Sequence, residues 1–318
     1  MFNFGTLRLH LTEIANGGRA IDAKPEPSKK SVLRFVPVAG LKLPEPNGGE
    51  ADFQADHITY MFNHQMPSIG ISSFFDSERR IALVDYTFSV FTYTKRPLEA
   101  YFLAIHILDH TLKAQSNKIK RLPDEEIAPI IIAAVEIGSK CEILYGVAHH
   151  FTKTYGADKI RFWEREHLRI FDFNISYTHV LHFLRIYQCM TGNLMKTHLD
   201  VCWATIKGLA CIAVAKSSLV DVLPSLLAAA IMRIVLELFA QRRLLGVELN
   251  SQIIMHLQHT EMEHIPPALD LLNWLLTQPK VKSITSHFSQ LKVGFAKLEI
   301  EAIINKLKTR EELHMEIN

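Results

Sequence analysis

Apolar residues recur at three- and four-residue intervals along most of this chain, and the two-residue alternation of strands is scarce. From Asp52 onward the pattern predicts one helix after another. Phe53, Ile58, Met61 and Phe62 fit a short first helix, and Ile81, Val84, Phe88 and Phe91 place a stripe on the next. Pro97 suits a first helical turn ahead of Leu98, Phe102, Ile105 and Leu108. Pro123-Asp124-Glu125-Glu126 opens a fourth helix with negative charge where the helix dipole favours it. That helix, Ile127 to Ser139, is apolar nearly all round and carries Ala133, Ala134 and Gly138, which predicts a buried position with close-packed neighbours. Another is expected from about Asp158 to Phe171.

The second half repeats the plan. Thr178, Val180, Phe183 and Leu184 begin a helix, Met195–Ala204 and Ile206–Ala215 predict two more, and Pro224 through Ala230 opens a second apolar, alanine-rich helix. The expectation is an all-α fold of two similar bundles in tandem, each built round a central helix. Residues 1–50 break the pattern with Gly17-Gly18, Lys24-Pro25-Glu26-Pro27, Pro37, Pro44-Glu45-Pro46 and Asn47-Gly48-Gly49, and read as a flexible tail.

Composition narrows the classes. The 318 residues leave room for two domains, and 48% hydrophobic with 21% charged residues is ordinary for a globular chain. A net charge of +2 gives no electrostatic case for nucleic acid or membrane as a partner. Cys141, Cys189, Cys202 and Cys211 lack any Cys-x-x-Cys spacing, so free thiols are expected rather than a zinc ribbon or disulfide framework. The apolar windows Ile127–Ile137 and Leu219–Phe239 are interrupted by Glu136 and by Pro224 and Arg233, so no membrane span is expected. No signal-peptide pattern opens the chain, which places it by expectation in nucleus and cytoplasm. His256-x-x-His259 with Glu261, Glu263 and His264 matches no structural zinc spacing and reads as solvated helix, so neither metal nor cofactor is expected. No phosphate loop, Gly-x-Ser-x-Gly or His-Glu-x-x-His points to catalysis.

Charges at intervals along this apolar framework carry the functional signal. Arg80, Asp109, Lys140 and Glu164 fall on successive predicted helices. Burying such charges is costly without partners, so the pattern predicts one internal ion pair and one pair kept for another protein. Arg79-Arg80-Ile81-Ala82-Leu83-Val84-Asp85-Tyr86 is similar to Met-Arg-Ala-Ile-Leu-Val-Asp-Trp of the mitotic A- and B-type cyclins. Leu108-Asp109-His110 resembles their Ile-Asp-Arg, and Ala134 through Glu142 their Ala-Ser-Lys-Tyr-Glu-Glu. Glu164 with Leu168 and Phe173 resembles the Glu-x-x-x-Leu helix that ends the first cyclin box. Pro224-Ser225 with its alanines resembles Pro-Ser-x-Ile-Ala-Ala of the second box, and Leu257 through Glu261 resembles Leu-x-Tyr-Thr-Glu. Order and spacing agree over about residues 52–300.

This resemblance implies two tandem five-helix cyclin boxes, over 51–175 with a short preceding helix and over 176–283, followed by a C-terminal extension, 284–318. It implies a non-catalytic subunit that binds and activates a cyclin-dependent Ser/Thr kinase. Arg80 and Asp109 would form a buried structural ion pair. Lys140 and Glu164 would hydrogen-bond the kinase backbone beside its C-helix, on a platform of Ile137, Cys141, Phe173 and Ile175 with Glu142 among the contacts. An internal Lys140–Glu164 bridge is the alternative. Ala82, Leu83 and Tyr86 fall where mitotic cyclins expose a groove for Arg-x-Leu motifs of substrates and inhibitors. Arg79 replaces that groove's Met and Ser89 its acid, so docking there should be weak or differently selective. In the tail, Arg8, Leu11, Ile14 and Asn16 fit a destruction box, implying a ubiquitin ligase as partner and Lys24, Lys29 and Lys30 as acceptors; a short amphipathic helix is the alternative. Three other readings stay open. They are a cyclin of a transcription-linked kinase, a cyclin-fold transcription factor that binds DNA, and a stand-alone helical scaffold.

Overall fold

A computed structural model describes residues 60–62, 77–115, 126–143, 146–175, 177–191, 199–242, 257–258, 260–277, 279–289 and 296–317. Every regular element among them is helical, as the periodicity requires: α1 Ser77–Tyr93, α2 Leu98–Ala114, α3 Ile127–Ile143, α4 Thr152–Tyr155, α5 Ala157–Ile170, α6 Val180–Thr191, α7 Leu199–Ala213, α8 Pro224–Gln241, α9 Glu261–Leu276, α10 Lys282–Ser289 and α11 Lys297–Ile317. Two 3₁₀ turns, Ala148–His150 and Ser217–Leu219, interrupt the series. Where two helices were expected over Met195–Ala204 and Ile206–Ala215, α7 runs through as one, because nothing between Ala204 and Ile206 breaks the backbone ladder. The described residues fall in two compact units, one within Thr94–Ser176 and one combining those of Val36–Tyr93 and Tyr177–Asn318.

In the first unit α3 is the axis, packed between α2 and α5. Ile130 through Val135 are fully buried, so no face of the helix is left for solvent. A Cβ at Gly138 would stand 2.6 Å from the carbonyl oxygen of Ala100, so α2 and α3 cross at a distance only glycine permits. On α5, Ile160, Trp163 and His167 face inward at helical spacing. His167 is fully buried, receives a hydrogen bond at Nδ1 from the Thr111 hydroxyl at 2.7 Å and donates from Nε2 to the Ile130 carbonyl at 3.0 Å. One imidazole thereby ties all three helices together.

The second unit has its own buried axis, α8, packed against α6, α7, α9 and α11. By length and composition α8 could cross a membrane, yet 78% of its apolar window is buried inside the protein. Arg233 and Glu237 on α8 are buried too, and join Glu261 of α9 and Lys306 and Arg310 of α11 in one charge network. Arg233 Nη2 and Arg310 Nη1 both lie 2.8 Å from Glu261 Oε1, so each buried charge has a counter-charge as its desolvation demands. Ile300, Ile303, Ile304 and Leu307 give α11 a buried stripe, and Arg242 clasps Glu299 at 2.7 and 2.8 Å. The expected boundary at 283/284 falls inside α10, and α11 is an integral layer of this unit.

The sequence grouped α1 with the helices up to residue 175, whereas α1 packs in the second unit against α10. The cause is polar as well as apolar. Phe88 meets His287 and Phe288, with ring centroids 5.5 and 6.0 Å apart. Asp85, buried on α1, accepts hydrogen bonds from the Ser283 and Ile284 amides at 2.8 and 3.2 Å and from the Ser283 hydroxyl at 3.0 Å. A carboxylate 198 positions away in sequence thus caps the N-terminus of α10. Burial pushes the Asp85 carboxyl above its ordinary range, and these bonds only partly offset that.

Asp85→Ala removes the cap and should cost about 1–2 kcal/mol, with Asp85→Asn costing less because its amide oxygen still accepts; urea unfolding of the full chain reads both. Burial holds His167 at about 4, below its ordinary 6.5. The unfolded chain takes up this proton below 6.5 and the folded chain only near 4, so stability is intact above 6.5 and lost as pH falls across that window. The loss is on the order of 3 kcal/mol, and His167→Gln should flatten that part of the stability–pH curve.

Candidate functional site

Of the charges that the sequence singled out, the structure brings Lys140 and Glu164 together. Lys140 stands in the last turn of α3, where the ladder leaves carbonyls without helical partners and a cation is favoured. Glu164 lies on α5 beside the buried stripe. The Lys140 Nζ is 2.6 Å from Glu164 Oε1, and the two side chains are 45% and 21% exposed. They bond each other, and the lysine remains open to solvent.

A third residue completes the site. Glu136, one turn earlier on α3, places Oε1 2.9 Å from the same ammonium. Its Oε2 accepts hydrogen bonds from the amides of Val147 and Ala148, the latter at 2.6 Å, where the chain turns back after α3. The loop is held from its other side by Arg96, whose Nη2 donates to the Gly146 carbonyl at 2.9 Å. A Cβ at Gly146 would collide with the Glu136 carboxylate, so glycine is needed for the backbone to approach it.

The electrostatics follow from this geometry. Burial pushes the Glu136 carboxyl up, but Lys140 and the two amides outweigh it and leave the group below its usual range. Partial burial pulls the Lys140 ammonium down, yet the bonds to Glu164 and Glu136 more than restore it and the group ends above its usual value. An ammonium has three donors, and two carboxylates engage two of them.

The surroundings divide. Cys141 and Glu142 are exposed on the same last turn, and Phe173 is 70% exposed just after α5. Asp172 and Phe173 have φ of 48° and 60°, a left-handed pair closed by the Phe173 amide on the Leu168 carbonyl at 2.8 Å. Ile175 is half-buried. Ile137 belongs to the core, because it lies on the inward side of a helix covered all round.

Arg80 and Asp109, the expected structural ion pair, are both buried, and Arg80 also donates Nη2 to the Val214 carbonyl at 2.8 Å. On α1, Ala82 is exposed, Arg79, Tyr86 and Ser89 are half-buried, and Leu83 is turned into the core. The Ser89 hydroxyl donates back to the Tyr86 carbonyl at 3.0 Å. Arg8, Leu11, Ile14, Asn16, His256 and His259 lie outside the described residues, as does the side chain of Cys189. Among the described residues no three His, Cys, Asp or Glu side chains converge as metal ligands. Glu136 was visible in the sequence only as an interruption of an apolar run. A lone acid on an all-apolar helix, four residues before a lysine, is the signal that could have marked it.

No protein-family model matches the chain, and no curated protein matches it. Among solved structures, a viral cyclin from herpesvirus saimiri is similar with a TM-score of 0.43 and 12% identity, over 73% of this chain and 87% of that chain. A likeness at that level assigns neither family nor function.

Gly146→Ala should force the Glu136 carboxylate off the Val147 and Ala148 amides. The expected loss is about 1–3 kcal/mol in denaturant unfolding; an unchanged midpoint would mean that the carboxylate swings aside freely.

Proposed function

We propose that this protein is a cyclin-like regulatory subunit that binds a cyclin-dependent Ser/Thr kinase and switches it on, and that it does so in mitosis. The observation that carries this reading is the Lys140–Glu164 pair, set at the surface where α5 packs on the buried axis α3. A partly exposed ion pair adds about 0–1 kcal/mol to a fold, so stability does not account for it. Lysine supplies donors and glutamate only acceptors, so together they can satisfy a carbonyl and an amide of a foreign main chain. The order of the cyclin-like motifs round them points to the kinase C-helix as that main chain. Exposed Cys141, Glu142 and Phe173 supply further contact surface.

Activation in this reading is a shift of population. A kinase with its C-helix displaced lacks its Lys–Glu pair and magnesium constellation. A rigid surface that binds only the inward helix moves the equilibrium by its differential affinity, and going from 1:99 to 99:1 takes about 5.5 kcal/mol. An interface of ~2,000 Å² supplies that readily. The Arg8–Asn16 motif adds timed, ubiquitin-dependent destruction, and nucleus and cytoplasm are the compartments in which such a subunit works.

Lys140→Met combined with Glu164→Gln should lower affinity for a purified cyclin-dependent kinase catalytic subunit at least 100-fold and abolish its activation, with circular dichroism unchanged. Normal activation by the double variant refutes the proposal.

A further inference from the structure

Glu136, one turn before Lys140 on α3, was not among the residues expected to meet a partner. We propose that Glu136 is the positioning residue of the Lys140–Glu164 pair: it fixes the lysine ammonium so that one donor is aimed outward for a partner carbonyl. The inference rests on the kinase-binding reading for the identity of that partner, and on geometry for the positioning itself.

Three observations support it. Glu136 is buried, with only 5% of its surface exposed, and its two oxygens divide their work. Oε2 is pinned by the Val147 and Ala148 amides, which belong to backbone that Arg96 anchors from the opposite side. Oε1 therefore occupies a fixed point 2.9 Å from Lys140 Nζ. A lysine alone on a surface keeps four rotatable bonds, and a partner must immobilise them at a cost in affinity. Held between Glu136 and Glu164, the ammonium has lost that freedom before the partner arrives.

Glu136 and Glu164 also differ in what they can give up. Glu164 is bonded through one oxygen at the surface and can turn to accept from an incoming amide. Glu136 cannot follow, because leaving would strip two backbone amides of their acceptor. The partner thus exchanges one half of the clasp while the other half keeps Lys140 in place. Both carboxylates raise the ammonium's proton affinity, so it stays charged throughout the neutral range.

The test is side-chain mobility of Lys140, read from ¹³Cε relaxation in full-length protein labelled at lysine. In Glu164→Gln, where the Glu136 contact is untouched, Lys140 should stay as rigid as in the unaltered protein. A mobile Lys140 in that variant overturns the proposal even if Glu136 variants fail to fold. In Glu136→Gln, whose amide oxygen can still cap the loop, Lys140 should become mobile and affinity for a purified cyclin-dependent kinase catalytic subunit should fall about tenfold. A rigid Lys140 in Glu136→Gln also overturns it, as does an unchanged affinity in that variant when Lys140→Met itself loses binding. If Lys140→Met leaves kinase binding intact while the rigidity results hold, the kinase-binding reading fails and the positioning role stands.

Discussion

A carboxylate on a helix buried on every side needs a partner within the protein, and that constraint organises the first unit. On α3 that carboxylate is Glu136, which follows a run of fully buried apolar residues one turn before Lys140. Glu136 cannot reach water, so the chain beyond α3 folds back to offer it amides, and Lys140 supplies the counter-charge. The surface lysine and the buried loop contact are therefore two ends of one requirement.

The second unit meets the same constraint with more charge. Arg233 and Glu237 on α8 are as buried as Glu136, and α9 and α11 carry the residues that neutralise them. Here the network closes within the unit, three cations on two carboxylates, and spends its charge on docking α11. The difference is instructive. Paired charges tied to several helices hold a fold together, whereas a cation held at the rim of the bundle leaves a donor for something else.

Much of this was legible in the chain. Ile127–Ser139 is apolar all round and is buried all round; Val84, Phe88 and Phe91 are inward as their spacing predicts; Pro224 opens a helix. Lys140 and Glu164 were singled out from motif order as a pair kept for another protein; in this structure they bond each other at 2.6 Å, the internal bridge that was the alternative. What escaped depends on contacts distant in sequence. No local signal tells that Asp85 caps a helix beginning at residue 282, since capping is read within three residues of the cap. The same contact carries α1 into the second unit. Leu83 and Ile137 were assigned to surfaces by analogy of position, yet both lie in the core, where the apolar stripe of an ordinary helix belongs.

The central claim is that the surface round Lys140 and Glu164 is where a kinase sits. Cys141, exposed on the same helical turn as Lys140, is a natural reporter, with Cys202 and Cys211 buried in the second unit as controls. Alkylation of each thiol can be followed by mass spectrometry with and without a saturating, purified cyclin-dependent kinase catalytic subunit. The account predicts that the bound kinase slows modification of Cys141 at least tenfold and leaves the ratio of the two buried thiols unchanged. Formation of the complex with Cys141 modified at its original rate would contradict it.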